Sequence, residues 1–452
     1  MGEPLDPVCE ALLVFGSFGT PTTKRVDFDA VIGGKLAHEA RELLRVATQF
    51  RDSLVDGLDN SGHAVDPRNV VGGVENYLPH IYKITHSMEA SASAQIRLNK
   101  PLSFSWTSVL TRAKAREYSC GVLVYEVCFV LTIQALAHYS VAKQMLAPEQ
   151  RSRLTSLVAA VKELRRGAGI LEFVSQVLLP RWVSPPDKRP PEVVSSVVAA
   201  LSTLFLLMAQ RVTVVQAIQK KSPPTALAKL LLGLSERYAE LNRQLLALDR
   251  PLYDSLLPQL VDEPPLFATV CFSLGLKFLG EHARKEQKAG QAVAYMHFAS
   301  DNLVKATYTA PMAEIYRARL DANRRAVDEQ FHAFKADNES IYFDGVPTRD
   351  RLEIPQGQFI IKPDDYSLPE VEAVSFASKD VEKEAEASAK PAPAPEQRKS
   401  LSSWFSKPAG ATPAPAAPTP AAHLKCPKGY SEDVWKELPD DIKQEIAAAQ
   451  PK

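Results

Sequence analysis

Three kinds of residue in the 452-residue chain carry chemistry that a site could use: carboxylates set in apolar runs, histidines and cysteines. Glu126 stands inside "LVYEVCF". A carboxylate there is expected to be buried, and a buried carboxylate needs a cation or several donors, so Glu126 reads as a member of an ion pair or a cap. His138 lies on the same apolar stretch and reads as a hydrogen-bonded core imidazole. His282 and His297, among Glu and Lys residues, read as parts of a solvated face. The five cysteines (Cys9, Cys120, Cys128, Cys271, Cys426) are scattered and odd in number, without C-x-x-C spacing, and are expected to be reduced thiols of a cytosolic protein. No G-x-x-x-x-G-K-[ST] phosphate loop, H-E-x-x-H pair or G-x-S-x-G elbow occurs. These patterns assign no catalytic residue, no metal ligand and no cofactor, and the expected protein is not an enzyme.

The remaining chemistry is recognition by apolar side chains, and two short patterns near the C-terminus offer it. Within 397–408, "QRKSLSSWFSKP", a Ser- and Lys-rich background presents Leu401, Trp404 and Phe405. Large apolar groups in such a setting mark a docking peptide. The Leu-x-x-aromatic-aromatic spacing is similar to peptides that bind sliding clamps, with Gln397 one residue too far upstream for the full pattern. The second pattern, "SEDVWKELPDDIKQEI", places Val434, Trp435 and Leu438 on one short helical face. Pro439 and the two aspartates after it end that helix and open another, on which Ile442 and Ile446 share a face. Helices this short are unstable alone and need a partner surface.

The elements that position such groups follow from periodicity. Lys plus Arg equals Asp plus Glu at 53 each, so no global field attracts nucleic acid or an anionic membrane. From about residue 35 to 336 apolar residues recur at three and four spacing, which predicts helices near 35–58, 69–96, 103–146, 148–180, 190–221, 225–248, 264–287 and 289–336. Pro-rich stops such as "SPPDKRPPE" separate them. Only "LLVFGSFGTPTTKRVDF" reads as short N-terminal strands around a turn. Two helices, around Val194–Ile218 and in "YSCGVLVYEVCFVLTIQALAHYSVAK", are apolar nearly all round and predict central positions in a helical layer. After Phe343, "DGVPTRDRLEIPQGQFIIKPDDYSLPE" predicts an extended wrap that closes the domain. The chain thus divides into a folded domain over 1–376, a Pro- and Ala-rich disordered linker over 377–425, and the helix-turn-helix over 426–450. The linker's roughly fifty residues span on the order of 40 Å as a flexible coil. The N-terminus lacks a basic region of a secretory signal, and Asp6 stands where a myristoylation pattern needs Ser or Thr.

In order along the chain, "FSWTSVLTRAKAREYSCGVLVYEVCFVLTIQALAHYSVAKQ", "LRRGAGILEFVSQVLLPRW", "LSTLFLLMAQRVTVVQAIQKK", "KAGQAVAYMHFASDNL" and "DNESIYFDGVPTRDRLEIPQGQFIIKP" resemble landmarks of the Bro domain family of Alix-like endosomal proteins, over roughly residues 10–370. The closing Asn338, Ile341, Tyr342, Val346 and Pro347 carry the most specific part of that likeness. Arg211 stands where the family usually has Glu. The resemblance implies an all-α fold, a curved helical domain with a tetratricopeptide-like core, no catalysis, and a concave apolar patch that takes the C-terminal amphipathic helix of the charged multivesicular body proteins of ESCRT-III. Position in the matching segment carries the patch onto Leu201, Leu204, Leu207 and Met208. The tail resembles the ubiquitin-binding motif of translesion polymerases, whose contact positions Leu438, Pro439 and Ile442 match, with Trp435 in place of the usual Phe. The implied protein is a cytoplasmic, endosome-associated adaptor for ESCRT-III and ubiquitin, in peripheral contact with membranes. The alternative is a nuclear adaptor in DNA-damage tolerance that holds a sliding clamp through Leu401, Trp404 and Phe405 and ubiquitin through the tail.

Overall fold

A computed structural model of the chain describes residues 5–34, 36–59, 64–90, 97–112, 116–150, 153–307 and 309–376. The 397–408 motif and the 426–450 segment lie outside the described residues.

The chain enters through α1 (Pro7–Leu12), whose start is written in the sequence: Asp6 accepts from the Val8 amide at 2.7 Å and Pro7 takes the first helical position. Only Leu12 of the stretch 12–28 belongs to α1; the expected N-terminal strands are corrected to an irregular run over 14–22, where Gly16, Gly19 and Pro21 interrupt a ladder, and a single bridge from Thr23 to Trp106. After the short α2 (Phe28–Val31), the long helices α3 (His38–Leu58) and α4 (Pro67–Ala90) pack together and lead to the strands. Two small antiparallel ladders form, β1 (Ile32–Gly33) with β2 (Arg97–Leu98) and β3 (Phe104–Thr107) with β4 (Glu117–Cys120). The predicted helix over 103–146 therefore begins only at α5 (Leu123–Met145). In the first part of that stretch, alternating Phe104/Trp106 and Tyr118/Cys120 satisfy a period of two, and Thr23 bridges to Trp106 from the outside.

From α5 onward the fold is helix against helix. α6 (Leu154–Phe173) packs on α5 and on α7 (Ser195–Gln219), and α7 packs on α8 (Pro224–Leu246). Short helices α9 (Arg250–Ser255) and α10 (Pro258–Val261) lead to α11 (Glu263–Lys285), which lies between α8 and α12 (Ala289–Lys305); α13 (Ala310–Asp337) follows. The predicted 289–336 helix is thus two, parted where Ala306 adopts extended backbone. α5 and α7 are long and apolar enough to cross a membrane, yet 94% and 78% of their most apolar windows are buried inside the fold, which makes them core helices. The class is all-α, as expected.

Residues 343–376 run without helix or strand apart from one turn at Arg349–Arg351 and form a strap over the helices. Asn338 starts it by donating to the Asp344 carbonyl at 3.0 Å and accepting from the Asp344 amide at 3.1 Å. The strap then binds backbone and side chains of successive helices. The Tyr295 hydroxyl donates to the Glu353 carbonyl, the Gln358 amide donates to the Lys229 carbonyl, the Asp364 amide donates to the Arg165 carbonyl, and Val374 donates to Ser87. Two helical glycines let it lie this close: a methyl group on Gly169 would sit 1.8 Å from the Asp364 carbonyl oxygen, and one on Gly233 would sit 2.3 Å from that of Gln358.

Candidate functional site

Glu126 is fully buried at the junction of α3, α4, α5 and β3. It accepts from Arg51 at 3.0 Å, Tyr77 at 3.2 Å and Trp106 at 2.7 Å, while Arg51 also donates to the Lys24 carbonyl and to Thr23. The carboxylate expected to be paired is therefore a tie between four elements. His138 bonds Glu163 at 2.6 Å and holds that carboxyl below the usual carboxylate range, as the core-imidazole reading required. A carboxylate that sequence reasoning missed is Glu192, in the proline-rich "RPPEVV". It is fully buried and accepts from the Val109 and Leu110 amides and from the Ser108 hydroxyl, capping the end of β3.

Arg211, where the resemblance leads one to expect Glu, is the counterpart in the other half of the domain. It pairs with Glu263 at 2.8 Å, donates to the carbonyls of Leu12 and Val14, and lies 3.7 Å over the ring of Phe267. Tyr316 completes the cluster by donating to Glu263 at 2.7 Å. None of these residues faces solvent, so the cluster fixes α1, α7, α11 and α13 together rather than meeting a ligand.

The expected patch residues Leu201, Leu204, Leu207 and Met208 are 0–1% exposed. The structure corrects that placement: these side chains fill the core between α7 and its neighbours and offer nothing to a partner. The physical reason lies in how α7 spends its polar residues. Ser202 donates to the Ala168 carbonyl at 2.9 Å and Arg211 to the N-terminal segment, so both polar groups are internal and neither marks the solvent side.

The less buried side of α7 instead carries Ala199, Thr203, Leu206 and Thr213, and Gln210, in the same row, is itself covered. Gln210 reaches the strap, donating to the Gln358 carbonyl at 2.9 Å and accepting from the Ile360 amide at 2.8 Å. Ser202 against Ala168 and Gln210 against the Leu230 carbonyl at 3.1 Å set the helices antiparallel in register. From the strap outward, the N-terminal ends of α6 and α8 therefore meet the C-terminal end of α7. There Val158 (54% exposed) and Val161 of α6, Thr213 and Ala217 of α7, and Ala226 and Leu230 of α8 lie on the strap-bearing face, edged by Ile360 (55% exposed). Lys162, Lys220, Lys221 and Lys229 rim it. An apolar face with a cationic rim, bounded by an extended segment, is a surface on which an amphipathic helix can lie. Thr203 and Thr213, polar on an otherwise apolar helix, are a signal of this side in the sequence; the exposures of Val158 and Leu230 have none.

Solved structures with the same fold include an ALIX BRO1 complex with CHMP4C (TM-score 0.61, 17% identity, covering 78% of this chain and 96% of that one). A longer ALIX chain in complex with the SIVmac239 PYKEVTEDL late domain gives a TM-score of 0.63 at 16% identity, over 82% of this chain and 52% of that chain. The structure titled for endosomal targeting by the Bro1 domain gives 0.55 at 15% identity, over 76% and 92%. No curated protein sequence matches the chain. The family model for the BRO1-like domain matches residues 51–387, three quarters of the length, and the chain belongs to the BRO1-like domain family.

Proposed function

We propose that the protein is a non-enzymatic adaptor whose folded domain holds the C-terminal amphipathic helix of an ESCRT-III subunit on the strap-framed face of α6, α7 and α8. The observation that carries this reading is the uncovered apolar face itself, whose cationic rim is complementary to acidic positions on an incoming helix. That a BRO1-domain relative of the same fold was solved with CHMP4C supports the choice of partner class. The contact residues are Val158, Thr213, Leu230 and Ile360, with the lysine rim steering approach.

The proposed division of labour keeps the domain over 1–376, a tether over 377–425 and a ubiquitin-binding segment over 426–450. In it Val434, Trp435, Leu438, Pro439, Ile442 and Ile446 contact ubiquitin. A single contact of that size has a Kd on the order of 100 μM, about −5.5 kcal/mol, and tethering makes it useful through effective concentration. The working place is the cytoplasmic face of endosomes. Titrating ubiquitin and an ESCRT-III C-terminal peptide against the whole chain and a chain ending at residue 376 tests the division. The whole chain is expected to bind both and the shorter chain only the peptide. Peptide binding lost with the tail overturns it, and a whole chain that captures a sliding clamp through Leu401, Trp404 and Phe405 favours the nuclear reading instead.

A further inference from the structure

Away from the strap, the segment 13–21, the C-terminal half of α5, the entry to α4 and the N-terminal third of α13 line a half-open cleft of about 680 Å³. That volume is within the range of small-molecule sites. Phe15, Phe18, Val70, Leu136 and Ile315 supply much of its apolar wall. No aspartate or glutamate lines it, and two cations do. Arg319 is answered by Glu10 at 3.6 Å. Lys143 is half-buried, its polar contact among the described residues is the Ser17 hydroxyl, and burial pushes its ammonium below the ordinary lysine value with no carboxylate opposing. Removing a cation from water without an anion is unfavourable, and a hydroxyl returns only part of the loss.

From this pairing of one uncompensated cation with an apolar cleft, we infer that the cleft binds a single-chain anionic amphiphile of the long-chain fatty-acid class. The carboxylate sits on Lys143 and Ser17, and the hydrocarbon chain lies along Phe15, Phe18 and Leu136. One negative charge matches the ammonium of Lys143, which no carboxylate among the described residues answers. An α-helix, about 10 Å across with its side chains, needs the broad face described above rather than a cleft of about 680 Å³ walled by four segments. The ligand exchanges only protons and water with the site, and no covalent step is involved.

The test is titration of the full chain with oleate, read by displacement of a fluorescent fatty acid, beside methyl oleate, which keeps the chain and loses the charge. Saturable one-to-one oleate binding is expected, with methyl oleate weaker by about tenfold or more, as loss of a charge-assisted contact requires. Lys143→Met should bring oleate down to the methyl-ester level, Lys143→Arg should retain binding, and Ser140→Trp, which fills the cleft, should remove both. Circular dichroism and ESCRT-III peptide binding should be unchanged in all three variants. Absence of saturable binding by the wild type overturns the inference. So does oleate binding that survives Lys143→Met or Ser140→Trp, which would place the amphiphile elsewhere, and so does self-association lost in Ser140→Trp, which would make a second copy the occupant.

Discussion

Glu126 shows what a single residue in this chain can be asked to do. Its two oxygens accept from Arg51, Tyr77 and Trp106, so a truncation leaves a guanidinium and two donors facing a buried void. Glu126→Ala is expected to cost about 3–5 kcal/mol of stability, measured by urea denaturation; a loss under about 1 kcal/mol would mean that the pair is solvated. Glu163 carries a pH signature. Its carboxyl is held below the usual range by the His138 hydrogen bond first, with Arg166 adding to it. A depressed folded value contributes stability that is fully present above the ordinary carboxylate value of 4.5 and is lost as pH falls through the folded one. Denaturation between pH 6 and pH 3 should therefore show a loss that Glu163→Gln abolishes, whereas equal slopes for the two proteins would remove Glu163 from the account. Glu126 and His138 were legible as structural groups because a lone polar residue in an apolar run has few other fates. Glu192 was not, since a glutamate directly after two prolines looks like a surface turn until the amides of Val109 and Leu110 are seen to close on it.

At the scale of elements, the strap is the part that periodicity found by exclusion: too many prolines and aspartates for a helix, too many apolar residues to be left free. Which helices it crosses depends on glycines whose role no local pattern reveals. Gly169 and Gly233 stand in helix interiors, where glycine costs roughly 1 kcal/mol against alanine, and that cost is offset only because the strap backbone occupies the space of the missing methyl. Gly169→Ala is expected to detach the strap near Asp364 while α6 itself becomes a better helix. Hydrogen exchange of the Asp364 amide, which donates to Arg165, should rise steeply with little change in α6; an unchanged amide would show that the strap accommodates the methyl elsewhere. The helix over 103–146 was misread at its start for a related reason. Phe104 and Trp106, two apart, fit the strand period and not the helical one, but the run is only four residues long and stands directly before the strongly apolar α5, and pairing across the hairpin is what separates the two. α7 is the opposite failure, since a helix apolar all round has no direction in its sequence. Leu201, Leu204, Leu207 and Met208 were therefore as plausible as the residues that do face out.

Taken whole, the domain presents its ends and faces unequally. The buried clusters around Glu126 and Arg211 lock the two halves internally, and the strap covers one band of the helical face. The surface beside that band, on α6, α7 and α8, is left apolar with lysines around it. Leu204→Asp would bury a charge in the core and unfold the domain, so it says nothing about a partner. Leu230→Asp changes a partly exposed position on the proposed face, outside the buried core. The most direct measurement is calorimetric titration of an ESCRT-III C-terminal helix peptide into the wild type and into Leu230→Asp, with thermal melts of both. The account predicts saturable binding by the wild type, a loss of about tenfold or more in the variant, from the cost of desolvating a carboxylate under an apolar contact, and matching melts. Equal affinity in the two proteins would contradict it, because the helix would then lie on some other face.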